Sequence, residues 1–155
     1  MKRHRKSRAR RGATVLEMAI ILMIFLVLTL GMLDLGVGIF RYHVIANSAR
    51  HAARRAIVHG ELASALGPWG PGTIDVAASA NGVPIVGATG EGVQPLLVGC
   101  DLSQTRVRAE WIDGGNAVGQ HVRVTISSPY RPVMLFIFPG TTKTLSASST
   151  MEIAH

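Results

Sequence analysis

The chain has 155 residues and a mass of 16.5 kDa, room for one ordinary domain plus an added segment. Hydrophobic residues make up 48% and charged ones 16%, which excludes a disordered or acidic solvating chain. A single cysteine excludes an internal disulfide framework and any multi-cysteine metal site. The net charge of +7 invites a nucleic-acid reading, but seven of the sixteen Lys and Arg lie within residues 1–11. From Gly12 onward nine basic residues stand against nine acidic ones. The basicity belongs to a tail, and no nucleic-acid partner is expected.

Residues 1–12 form that tail, a self-repelling block expected to be disordered in water. An apolar run follows, and sixteen uncharged residues, 18–33, separate Glu17 from Asp34. As a helix they would span about 24 Å, short of the roughly 30 Å hydrocarbon core. Extending the span toward either end brings in Glu17 or Asp34, so at least one acid must sit at or inside the lipid edge. The run is read as a transmembrane helix over 13–40, in contact with membrane lipid. Positive flanking charge stays on the cytoplasmic side, which places the chain after residue 40 outside the cell membrane. A cleaved secretory signal is the rival, but no small-x-small cleavage site follows the run.

Residues 41–60 contain no Pro and no Gly before Gly60, and they are rich in Ala and Arg, which favours helix. Ile45, Ala49, Ala52, Ala53, Ala56 and Ile57 make one small-residue stripe, expected under the protein's own outer domain or beside neighbouring stems. His43, Asn47, Arg50, His51 and Arg54 share the opposite side, and Gly60 is a candidate C-cap. His43, His51 and His59 are spaced by eight, a drift of about 80° per step around a helix, so they cannot converge on a metal.

Residues 61–155 read as a β-rich outer domain. The Gly- and Pro-rich stretch 61–99 suggests loops around weak strands at 74–78 and 83–86. Residues 106–112 and 122–126 alternate as strands, joined through Asp113-Gly114-Gly115-Asn116, and 145–153 alternates as another. Six apolar residues between Pro132 and Pro139 are too few to span a membrane and are expected to be buried, an exposed contact patch being the alternative. Cys100 can pair with another chain in an oxidising compartment, or lie buried as a thiol. The predicted architecture is α+β: a long membrane helix, extended as an amphipathic stem, packed on a small antiparallel sheet. No catalytic motif is present, so no enzyme and no cofactor is expected.

Gly12, five residues before Glu17 at the mouth of the apolar helix, resembles the class III signal of type IV pilins and pseudopilins. That resemblance implies cleavage by a prepilin peptidase between Gly12 and Ala13. Glu17 would then lie one helical turn from the new amine and could pair with it, or with a neighbouring subunit's, setting register. Gly31, Asp34 and Gly36, then Asn47, Ala49, Arg50, Ala53 and Arg54, resemble the elements of the TadE-like family. Its members are pseudopilin-like proteins of the tight-adherence (Flp) pilus assembly system. Tyr130-Arg131-Pro132 and the closing strand ending Met151-Glu152 are similar to the family as well. The resemblance implies a single-pass inner-membrane protein whose partners are other pilin-like subunits and the assembly machinery. An uncleaved membrane-anchored binding module and a secreted domain released by signal peptidase are the alternatives.

Overall fold

The computed structural model describes residues 6–63, 67–83, 85–87, 92–132 and 142–154. One helix, α1 (Lys6–Val58), runs for 53 residues, about 80 Å at 1.5 Å per residue. No proline interrupts it, and in lipid the backbone groups have no partners but one another, so isolated glycines do not break it. The expectation of a disordered tail is corrected from Lys6 onward. Lys, Arg and Ala are good helix formers, and the tail is continuous with a helix already nucleated.

Along its first half α1 exposes nearly every large apolar side chain, from Val15 to Phe40. The Thr29 hydroxyl turns back to donate to the Phe25 carbonyl at 2.8 Å, which satisfies it without water. After Arg41 the surface changes. Ile45, Ala49, Ala52, Ala53 and Ala56 are all at most 1% exposed, buried beneath the protein's own sheet. The small-residue stripe is therefore internal packing and is not free to receive neighbouring stems.

The sheet is an antiparallel meander of β1 (Thr73–Ala77), β2 (Arg106–Trp111), β3 (His121–Tyr130) and β4 (Lys143–Glu152), in that spatial order. Period-two alternation turns Val107, Ala109 and Trp111 of β2 and Val122, Val124 and Ile126 of β3 to the buried face. The stem packs on β3 and β4. On β4 the inward positions include Ala147 and Ser149, small enough for a helix lined with alanine to come close. The remaining inner face is covered by the long β1–β2 connection through Ile85, Val86, Val93 and Leu97. The result is an α+β fold with a helix on one side of a four-stranded sheet.

Two local expectations are corrected. Among the described residues around 83–86 no strand forms: Val86 N–H donates to the Val83 carbonyl in a turn, and Ile85 and Val86 serve as core. Pro84 has no N–H to give a ladder, so apolar character there marks burial and not a strand. At the helix end Gly60 is not among the left-handed glycines, and a distant side chain does the capping instead. The His59 carbonyl accepts from Trp69 N–H at 2.8 Å and from Asn116 Nδ2 at 3.2 Å. Asn116 Oδ1 in turn accepts from Trp111 Nε1 at 2.9 Å, while the His59 and Trp69 rings stack 4.1 Å apart. Gly70 completes the knot at φ +80°, its backbone so close to the Trp111 indole that a Cβ would sit 2.5 Å from the ring. The apolar run after Pro132, residues 133–138 and Pro139, lies outside the described residues.

Candidate functional site

An acid near the end of an apolar helix needs compensation, and Asp34 receives it from the far end of the chain. Its residue is 9% exposed within a stretch whose other large side chains face outward. The last residue of β3 supplies the partner. The Tyr130 hydroxyl lies 2.8 Å from Asp34 Oδ1 and 2.9 Å from the Asp34 carbonyl oxygen, so its one proton is shared between two acceptors. A hydrogen bond to a charged group contributes roughly 1.5–3 kcal/mol, enough to offset much of the cost of an acid at a lipid edge.

The surroundings hold the phenol in place. Gly38, one turn above Asp34, leaves room for the ring, and a Cβ there would rest in ordinary contact 3.5 Å from it. The Arg41 guanidinium carbon lies 5.3 Å from the ring centroid on its face, a cation–π geometry. Burial pushes the Tyr130 hydroxyl above its ordinary pKa, and the Asp34 hydrogen bond and charge add to this, while Arg41 opposes it. The phenol therefore stays protonated and remains a donor. Gly31, Leu35, Ile39 and Leu145 line an apolar hollow beside the junction, of about 510 Å³.

This junction fastens the helix to the sheet where the apolar surface ends. It can set the height and tilt of the outer domain over its anchor. Among the described residues no three His, Cys, Asp or Glu gather as metal ligands.

The remaining sequence-selected residues are spread along α1. Gly12, Ala13 and Glu17 are exposed on the helix far from the sheet. Gly36 faces open space, whereas Gly31 lines the apolar hollow and Asp34 bonds to Tyr130 of the sheet. In the stem, Ala49 and Ala53 are core, while Asn47, Arg50 and Arg54 are exposed on the other side. Cys100 is half-buried against the core. Sequence reasoning missed the pairing of Asp34 with Tyr130, although it had singled out both segments. The available signal was an acid at the end of an apolar run with no basic residue within four positions on either side.

Among the described residues one helix is long and apolar enough to cross a membrane, and clasped to an antiparallel sheet it defines the class of single-pass anchored α+β proteins. Over residues 12–54 the chain matches the family model described as TadE-like protein, the family to which its sequence elements pointed. No curated protein and no solved structure matches the chain. The matched span contains Gly12, Glu17, Asp34, Arg50 and Arg54 and leaves out Tyr130.

Proposed function

We propose that this protein is a minor pseudopilin-like subunit acting, without enzymatic activity, in assembly of a tight-adherence (Flp type IV) pilus or a related secretion system. In this reading the basic tail is cytoplasmic, residues 13–40 cross the inner membrane, and the stem with its sheet stands outside. A prepilin peptidase cuts after Gly12, and the exposed apolar helix then associates laterally with other pilin-like subunits, Glu17 pairing with a terminal amine. The observation that carries the reading is the TadE-like match over residues 12–54, coinciding with a helix whose apolar half is left uncovered by its own fold. Gly12 sits within α1, so cleavage requires local unwinding, and glycine is the residue at which a helix opens most readily.

N-terminal sequencing of the protein from membranes tests this directly. A start at Ala13 is the expected result. A start at Met1 would identify an uncleaved anchored module, and a start beyond Asp34 a secreted domain; either would end the pseudopilin reading. Gly12→Ala should leave the full-length chain in the membrane.

A further inference from the structure

Between Leu35 and Gly60 the helix carries four arginines, Arg41, Arg50, Arg54 and Arg55, and no acid. Arg41 is engaged by the Tyr130 ring. Arg50 and Arg54 are exposed one turn apart on one face, where like charges repel. Arg50 has only the neutral Asn47 Oδ1 as an acceptor, at 3.2 Å, and Arg54 has no hydrogen-bond or ion-pair partner among the described residues. The helix dipole favours Arg55 in the last turn, and its influence fades within that turn and does not reach Arg50.

These side chains line a groove of about 460 Å³, together with Ser48, His51 and Leu96, the last from the 3-10 turn Gln94–Leu96. The Ser48 hydroxyl is already spent on the Val44 carbonyl at 2.8 Å. His51 Nδ1 is buried and has no hydrogen-bond partner among the described residues, a costly state for a polar atom. Two exposed guanidinium forks beside one apolar wall describe a surface made for carboxylates.

We propose that this groove is a docking site for an acidic segment of a partner protein, its carboxylates held by Arg50 and Arg54. Height along the helix favours protein over lipid. Arg50 and Arg54 stand about 14 Å and 20 Å beyond Arg41, past a headgroup layer of about 5–8 Å. The site depends on neither cleavage after Gly12 nor entry into a fibre.

The test uses the full chain in neutral detergent micelles, titrated with N-acetylated tetraglutamate amide and followed by the NMR signals of the His51 imidazole and the arginine Nε groups. A saturable shift at His51, Arg50 and Arg54 is expected, with affinity at least tenfold weaker in Arg50→Gln/Arg54→Gln. Both residues are exposed, so that variant should melt as the parent does, and Arg50→Lys/Arg54→Lys should restore part of the affinity. Absence of saturation, or equal affinity in the glutamine variant, overturns the proposal. Equal shifts from inorganic phosphate at the same charge concentration, from phosphatidylglycerol nanodiscs, or from oligouridylate would do so too, by showing indiscriminate attraction of anions.

Discussion

The two halves of α1 share one backbone and meet opposite surroundings. From Val15 to Phe40 large side chains point outward on all sides, whereas Ile45, Ala49, Ala52, Ala53 and Ala56, four of them alanines, are wholly buried. The contrast shows how one helix serves as anchor and as core. Bulky side chains suit a lipid environment that conforms to them; alanines suit a sheet whose spacing is set by its own ladder. The change falls near Arg41, close to where Tyr130 grips Asp34.

The two halves should therefore respond differently to substitution, and melting of the full chain in micelles, followed by Trp69 and Trp111 fluorescence, measures it. The largest effect is expected where the stem ends. Asn116→Ala strips the Trp111 indole N–H and the His59 and Trp69 carbonyls of a buried partner, which should destabilise the outer domain by about 3–4 kcal/mol. Ala53→Leu overfills the stem–sheet interface and should cost about 2–3 kcal/mol, whereas Leu22→Ala in the exposed half should leave the melt unchanged. Equal effects from that pair would dissolve the distinction between the halves. Tyr130→Phe, at the boundary, should cost about 2 kcal/mol by removing the phenol hydrogen bond to Asp34.

The smallest effect concerns pH. The His121 side-chain and backbone hydrogen bonds hold the Asp113 carboxyl below its ordinary range. A depressed folded-state pKa contributes stability that is fully present above the unfolded value of about 3.9 and is lost as pH falls through the folded one. Asp113→Asn should therefore lower the melting temperature slightly at neutral pH and converge with the parent in acid, flattening the acid side of the profile. An offset of equal size at every pH would contradict that assignment.

Much of this was legible in the residues. The alternations at 106–112, 122–126 and 145–153 appear as β2, β3 and β4, and the Ala stripe appears as a buried face. Periodicity reports local geometry, and these segments obey it. Residues 83–86 misled because apolar composition marks burial without specifying a ladder, and Gly60 misled because a cap can come from another part of the chain.

By itself the sequence determined an apolar anchor behind a basic tail, a stem with one small and one cationic face, and an alternating sheet, since each follows from neighbours within a few turns or strands. Only the tertiary structure decided that Tyr130 answers Asp34 across 96 positions, that Asn116 closes the helix, and that Arg50, His51 and Arg54 line one groove with Leu96. Such contacts depend on which surfaces the packed core brings together, and no local pattern carries that information. The charge that opened the reading belongs to the tail, whereas in the stem it is Arg50 and Arg54 that the fold leaves exposed beside the groove.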